Sequence, residues 1–446
     1  MMTARVPLRV TVLGLNYAPE PTGIAPYTTG IARFLADAGH DVHVVTGLPH
    51  YPSWRVEPGY GGRPIEERDG AVRITRVHHS VPSDPNGLGR IRLEAAFAAR
   101  AARVVTHGGR PADVVLAVSP ALLSVGAAAL RRRGGRTALG VIPQDLYSHA
   151  LAETGSLGRA AEGAAALERS LLRRADGVVA IHERFRRSLV GLGVDEHRIT
   201  TIRNWTHVDP VTRQGEDVWA LRRELGWRDD EIIALHAGNM GAKQGLETVV
   251  EAARAADRRG SPVRFVLVGH GNQRASLEGL GRDIDRLQFL DPLPASRFTD
   301  VLAAADALVL HERPGVAEMC VPSKLTSYFA AGRPVVAATN PLSAASAEIA
   351  SSGAGVTVVP GAPETLLEAV LEMRSDDAEA MGLRGQLFAH DVLHADAARS
   401  AYLGWVEELA ASRGGLRAIR DFRDAGRAPV RVPHRSDVPT PRAEPA

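Results

Sequence analysis

At 446 residues the chain is too long for one ordinary core and suits two or three domains, of which two is the simpler reading. Hydrophobic residues at 45% and charged residues at 23% are the balance of a soluble globular protein, and the single cysteine, Cys320, excludes an intrachain disulfide framework and fits a reducing cytoplasm. The net charge of +2 divides into an electropositive first 210 residues and an acidic remainder, while an aromatic content of 5% argues against a nucleic-acid binder with stacking rings among its basic patches.

The first nine residues lead straight into an apolar run at 10–15, with no cleavage pattern of a secretory signal. Strands are predicted at 9–15, 41–46, 73–77, 114–118, 138–142 and 177–181. Helices are predicted at 27–38, 91–106, 122–132, 160–174 and 183–191. This alternation is that of a parallel sheet covered by helices. The nearly uncharged stretch 114–130 is short for a membrane span and broken by Ser119-Pro120 and Gly126, so it reads as a buried strand, a turn and an Ala-rich helix. Residues 49–63 read as a long Pro/Gly-rich loop.

A second alternating series follows a boundary near 204–215. Its strands are predicted at 232–237, 264–268, 287–290, 307–310, 335–337 and 355–359, and its helices at 245–258, 274–279, 295–304, 325–331 and 363–373. The expected organisation is a Rossmann-like domain over 1–210, a second over 211–396, a helix within 397–423 packing back on the first, and a disordered tail at 424–446. Two α/β domains of similar length imply a cleft at the carboxyl ends of their strands.

Lysine is nearly eliminated: Lys243 and Lys324 are the only two, and both lie in turns. Either two lysines survived a drift toward arginine on a solvated surface, or these sites want a compact ammonium, for which a phosphate oxygen is one partner. Three segments then carry chemistry. Gly14-Leu15-Asn16-Tyr17-Ala18-Pro19-Glu20-Pro21-Thr22-Gly23 runs from the first strand into a helix, without the dinucleotide glycine spacing. His236-Ala237-Gly238-Asn239-Met240-Gly241-Ala242-Lys243-Gln244-Gly245 repeats that arrangement and suits a diphosphate. In Val321-Pro322-Ser323-Lys324, Ser323 reads as the N-cap of a helix that stops at Gly332, so its hydroxyl, the helix end and Lys324 form a second anion cradle.

Arginine clusters at Arg131–Arg133 with Arg136, at Arg169 with Arg173-Arg174, and at Arg184 with Arg186-Arg187 could face anionic lipid or a phosphorylated acceptor, or be solvated helix faces. Asp283-Ile284-Asp285 mimics a metal-binding pair but precedes a strand instead of following one. Gly269-His270-Gly271 follows a strand and reads as a donor-side turn, and His78-His79 reads as structural or surface.

In this order the segments resemble the retaining glycosyltransferases of family four, with the two-Rossmann-domain GT-B fold, and most of all the colanic-acid-type and aminosugar branch. Asn16-Tyr17-Ala18-Pro19-Glu20 with Gly23, Gln144-Asp145-Leu146, Gly238-Asn239-Met240-Gly241 with Gln244-Gly245, and Val321-Pro322-Ser323-Lys324 carry the resemblance from about residue 10 to 409. It implies an α/β enzyme that takes a sugar from a nucleotide diphosphate donor to a saccharide or lipid-linked acceptor, with retention and with no metal or other cofactor. Cytoplasmic placement, peripheral on the inner membrane face, is part of the expectation. The donor would meet Gly23, Gly238, Asn239, Gly241, Lys243, Gln244, Gly271, Ser323 and Lys324. Asp145, His50 and Glu318 are the catalytic candidates.

The chain departs from the wider family where an Arg and a Lys hold the phosphates, since Asn239 and Gln244 stand there, and where two glutamates are spaced by eight, since Met319 and Ser327 stand there. Glu318 and Glu312 are the nearby carboxylates. A nucleotide-sugar epimerase on the same fold, or a nucleotide-sugar-binding protein without catalysis, remain the alternatives.

Overall fold

The computed structural model describes residues 6–21, 23–61, 65–82, 87–119, 122–131, 136–146, 159–208, 211, 216–315 and 323–413. The first sheet is built from β1 (Arg9–Gly14), β2 (Asp41–Gly47), β3 (Ile65–Asp69), β4 (Val72–Val77), β5 (Val114–Ser119), β6 (Ala138–Pro143), β7 (Gly177–Ala180) and β8 (Ile199–Thr201), in the order β3-β4-β2-β1-β5-β6-β7-β8. Its helices are α1 (Ala25–Asp37), α2 (Gly87–Ala101), α3 (Leu122–Leu130), α4 (Arg159–Leu172) and α5 (Glu183–Gly191). Every residue of β5, β6 and β7 is buried, as expected of parallel strands covered on both faces. The stretch 114–130 is therefore a core strand followed by a helix, as its punctuation implied.

β8, only three residues long, was not predicted, and neither was β3. Its residues alternate between partly buried and exposed, and it pairs antiparallel with β4 through the turn at Gly70, at the rim of the sheet. Charge hides such an edge strand from a hydrophobic pattern and also protects it from pairing with another chain. Glu67 takes an ion pair from the buried Arg76, and Asp69 takes one from Arg33 at 2.9 Å and a hydrogen bond from the Tyr17 hydroxyl at 2.9 Å.

The second sheet has the order β11-β10-β9-β12-β13-β14, all parallel, from β9 (Ile232–Ala237), β10 (Val263–Val268), β11 (Leu287–Leu290), β12 (Ala307–His311), β13 (Val335–Ala338) and β14 (Gly355–Val358). Around it lie α6 (Glu216–Glu224), α7 (Glu247–Arg258), α8 (Arg274–Leu280), α9 (Ala295–Ala303), α10 (Lys324–Ala330), α11 (Ala344–Ser352), α12 (Pro363–Leu371) and α13 (Asp376–Asp391). α6, α11 and α13 were missed. α6 and α13 carry polar residues on much of their surface, and α11 is too small-residue-rich to show an apolar stripe.

The last helix, α14 (Ala395–Ser412), returns to the first sheet, where Tyr402, Trp405 and Leu409 are buried in its core. Gly140 admits it: a side chain there would lie 2.6 Å from Trp405, so the helix could not settle onto β6. The units also meet through Glu348 of α11, which is buried, pairs with His182 at 2.9 Å and accepts from Arg203. Burial pushes that carboxyl up, but the bonds from His182 and Arg203 prevail and hold it below its usual value. Thr206 N donates to Leu393 O at 2.9 Å beside this pair. The expected tail at 424–446 lies outside the described residues.

Candidate active site

Strand order reverses between β1 and β5 in the first sheet and between β9 and β12 in the second. Loops diverge at such points and leave a crevice beyond the carboxyl ends of the strands. The singled-out residues fall at these ends. Residues 15–24 follow β1, His50 follows β2, Asp145 follows β6, 238–246 follow β9, Gly269–Gly271 follow β10, and Lys324 opens α10 after β12.

In the second domain the loops are fitted backbone to backbone. Met240 N donates to His270 O at 2.9 Å, Gln273 N donates to Met240 O at 3.0 Å, and Gly269 has φ +130°. A Cβ on Gly269 would sit 2.1 Å from Gly238 O, and one on Gly271 would sit 2.4 Å from Met240 O, so both glycines are demanded by contact. Gln244 is used internally: its side-chain oxygen accepts from Gly241 N at 3.1 Å and its carbonyl accepts from His311 Nδ1 at 2.7 Å.

Lys324 reaches back to this loop. Its ammonium lies 3.7 Å from where a Cβ on Gly238 would stand, and 3.2 Å from Nε2 of His236 on β9. His236 Nδ1 donates to Val309 O at 3.1 Å, so Nε2 is left to accept from Lys324. Burial, reinforced by Lys324, holds the imidazole well below its usual pKa, so the support is neutral. Tyr328 of α10 completes it by accepting from Ala237 N at 2.9 Å.

The first domain is braced by a carboxylate. Glu20, buried, accepts from His50 N at 2.8 Å and Tyr51 N at 2.9 Å through one oxygen, and from the Asn16 side chain at 2.8 Å through the other. The loop after β2 is thereby pinned to the loop after β1. His50 is buried with Nδ1 2.8 Å from Leu48 O, and its ring meets His79 edge-on with centroids 4.9 Å apart. Gly23, at φ +71°, lies under Tyr51: a Cβ there would be 3.0 Å from the ring. Gln144 and Asn204 exchange reciprocal amide bonds of 3.3 and 2.8 Å, which fix the end of β6 next to the half-buried Asp145.

Charges of both domains bear on Tyr51. Burial raises its phenol pKa, while the Lys243 ammonium of the second domain pulls it down and the Asp145 carboxylate of the first pushes it up. Lys243, Tyr51 and Asp145 thus share one electrostatic neighbourhood across the interdomain gap.

Other expectations fare differently. Ser323 stands at the N-cap position of α10, but its hydroxyl makes no capping bond; its carbonyl instead accepts from the Thr326 hydroxyl at 2.8 Å. Glu318 and Met319 lie outside the described residues. Ser327 is buried, and Glu312 is buried and accepts from the Thr339 hydroxyl. Asp283 is spent on an ion pair with Arg254 at 2.7 Å. His79 is structural: its Nε2 accepts from Leu48 N at 3.0 Å. Arg131 and Arg173-Arg174 stand beyond the ends of α3 and α4, at the amino-terminal edge of the sheet and opposite the cleft, which removes them from a phosphorylated acceptor bound there. Arg184 donates to Leu342 O and Arg186 to Ile199 O at 2.7 Å.

Sequence reasoning missed His236, Tyr51, Glu94 and the bracing role of Glu20. A histidine ending an apolar strand just before a glycine loop was the available signal for His236, and a carboxylate inside a Pro-flanked turn was the signal for Glu20. Glu94, buried on α2, has its pKa pushed up to about 7 by burial, with Arg90 opposing.

Residues 22–205 match the glycosyl transferase 4-like domain, and residues 231–376 match the glycosyl transferases group 1 domain. The "Putative colanic acid biosynthesis glycosyl transferase WcaI" of Escherichia coli (strain K12) is 33% identical over 341 residues, 73% of this chain and 82% of that protein. The chain belongs to family four of the glycosyltransferases, in its colanic-acid and aminosugar branch. Alpha-D-kanosaminyltransferase of Streptomyces kanamyceticus is 33% identical over 119 residues, 25% of this chain and 30% of that one. Sucrose-phosphate synthase from Thermosynechococcus elongatus superposes with a TM-score of 0.70 at 18% identity, over 90% of this chain and 99% of that one. Anabaena HepE, solved with UDP and glucose, gives 0.64 at 16% identity, over 92% and 100%. At such identities the likeness is one of fold: two Rossmann-like domains facing a cleft, the GT-B arrangement. A glycosyltransferase of this fold displaces the epimerase and the non-catalytic binder as readings of the chain.

Proposed function

We propose that this glycosyltransferase moves a sugar from a nucleotide diphosphate sugar to a saccharide or lipid-linked acceptor, with retention and without an essential metal, in surface polysaccharide or glycoconjugate synthesis. The observation that carries the reading is the pair of lysines bordering the glycine loop after β9. Lys324 lies against Gly238, and Lys243 stands in the loop itself, where its charge is felt at Tyr51 of the first domain. The second domain holds the donor and the first holds the acceptor.

When the bond from the anomeric carbon to the diphosphate breaks, negative charge grows on the leaving oxygens. Fixed ammonium groups and loop amides stabilise that charge with little reorganisation. Retention requires the acceptor oxygen to form its bond on the face the diphosphate leaves. Asp145 takes or orients the acceptor proton, and His50 is the second candidate for that role. The neutral His236 keeps the Lys324 ammonium aimed without cancelling its charge.

Uridine, guanosine and adenosine diphosphates screened by thermal shift identify the nucleotide, because a ligand of the folded state raises apparent stability by mass action. HepE, solved with UDP and glucose, supports starting from uridine. Labelled sugar from the matching donor should then move to an extracted glycolipid fraction, with EDTA leaving the rate unchanged. A rate abolished by EDTA and restored by a divalent ion would refute metal independence, and an inverted product would refute retention.

The proposal extends to an anionic lipid surface. Leu130, 80% exposed, stands with Arg174 at a depression of about 640 Å³ at the end of the first domain away from the cleft. Among the described residues no helix is long and apolar enough to cross a membrane. Attachment would therefore be peripheral, and cosedimentation with phosphatidylglycerol but not phosphatidylcholine vesicles tests it.

A further inference from the structure

The Glu20 carboxylate is more than a loop fastener, because of what the fastened loop presents. Its side chain is 1% exposed, and it takes two successive backbone N–H groups, those of His50 and Tyr51, besides the Asn16 amide. Those bonds set the direction in which the Tyr51 side chain leaves the backbone. The ring lies over Gly23, where only the lack of a Cβ lets it rest, and its hydroxyl end lies within the electrostatic reach of Lys243 and Asp145. Trp54 backs it edge-on at 6.1 Å and holds φ +54°, an unfavourable conformation for a bulky residue that its surroundings must impose.

The placement has a chemical consequence, which rests on the glycosyl-transfer reading. Lys243 belongs to the loop expected to grip the diphosphate, and Asp145 is the group expected to meet the acceptor proton. Tyr51 lies over Gly23, itself expected to meet the donor, in loops that leave the carboxyl ends of β1 and β2, so it stands beside whatever is bonded to that diphosphate, which is the sugar in transit. We infer that Tyr51 is the first-domain wall against the transferred sugar ring, and that Glu20 is the positioning residue that holds it there. An aromatic face with a polar tip suits a pyranose, which has C–H faces and hydroxyl edges. The charge of Glu20 is not what the role needs; the oxygen that accepts from both backbone N–H groups is.

The test uses the full chain and the nucleotide sugar, among UDP-, GDP- and ADP-glucose, that raises its melting temperature most. Glu20→Ala should lower the turnover number for donor cleavage by about a hundredfold, the scale of a misplaced reacting group, and leave the affinity for the free nucleotide within about twofold. Glu20→Gln, which keeps one oxygen to accept from both backbone N–H groups and gives up only the bond from Asn16, should recover most of the rate. Tyr51→Ala should reproduce the loss, and the double variant should be no slower than the worse single one, because both act through one ring. Backbone amide exchange at His50 and Tyr51 should speed up in Glu20→Ala and stay slow in Glu20→Gln. Full turnover in Tyr51→Ala would overturn the inference, as would losses that multiply in the double variant. No thermal shift with any of the three donors would instead sink the glycosyl-transfer reading on which it depends.

Discussion

The glycine loops at the two sides of the cleft follow equivalent strand ends but are held by opposite means. After β9 the backbone supports itself, with Gly238 O packed where a Cβ on Gly269 would stand, and the side chains that brace the loop, His236, Gln244 and Tyr328, carry no charge. After β1 the support is a buried carboxylate, Glu20, reaching into a neighbouring loop. On the proposed function, with the diphosphate against the second domain and the sugar against the first, the difference follows from what each side would bind. A diphosphate needs positive groups and amides in its wall, so a bracing anion there would compete with the ligand. A sugar is neutral, so the first domain can use a carboxylate as its clamp.

The largest effect expected from breaking this contrast is that of Gly269→Ala. The new Cβ would meet Gly238 O at 2.1 Å in a backbone at φ +130°, and neither partner is a flexible side chain. A loss of roughly 3 kcal/mol or more in urea unfolding is expected, from strain and overpacking together. A loss below about 1 kcal/mol would mean that the two loops part easily and that their contact does not shape the donor wall.

Next is Lys324→Ala, which should weaken nucleotide diphosphate binding by about 1–3 kcal/mol by calorimetry, the scale of a charge-assisted hydrogen bond. The corresponding nucleoside should bind the variant and the native chain alike. Equal diphosphate affinities would remove Lys324 from the donor wall.

Two buried groups of the first domain make stability depend on pH in opposite senses. Glu94 holds its proton up to about pH 7 in the folded chain, against about 4.5 when unfolded, so stability should fall as pH rises between those values. His79 goes the other way. Burial, with the neighbouring His50, pushes it down to about 4, so the unfolded chain alone binds a proton between there and about 6.5, and stability should rise with pH across that window. Urea unfolding from pH 4.5 to 8 should show Glu94→Gln gaining about 1–3 kcal/mol at pH 8 and nothing at the acid end. An equal gain at both ends would mean that packing, not proton binding, separates the variants.

The sequence disclosed the strands because parallel strands buried on both faces leave long apolar runs, as in β5 and β9. It disclosed the glycine loops because few residues tolerate such backbone contact. It could not disclose β3, whose charged residues serve a rim, nor the coupling of Glu20 to Tyr51, which joins positions 31 residues apart. Lys324 was legible through the rarity of lysine; its partner was not, because a histidine in an apolar strand looks the same whether it supports a cation or fills a core. The internal use of Gln244 was equally hidden, since a glutamine oxygen that caps Gly241 reads no differently from one that meets a ligand.

The finest test compares Gly23→Ala with Gly269→Ala. Both positions have positive φ, but the obstacle at Gly23 is the Tyr51 ring at 3.0 Å, an element that can move, whereas at Gly269 it is backbone. Gly23→Ala should therefore cost only about 1 kcal/mol of stability, the ordinary cost of a side chain in the left-handed region. The ring will have shifted to make room, so turnover should drop by more than stability implies while diphosphate affinity holds. If turnover survives intact, Tyr51 has slack the architecture does not require it to give up, and the two glycine loops differ in construction alone and not in what they bind.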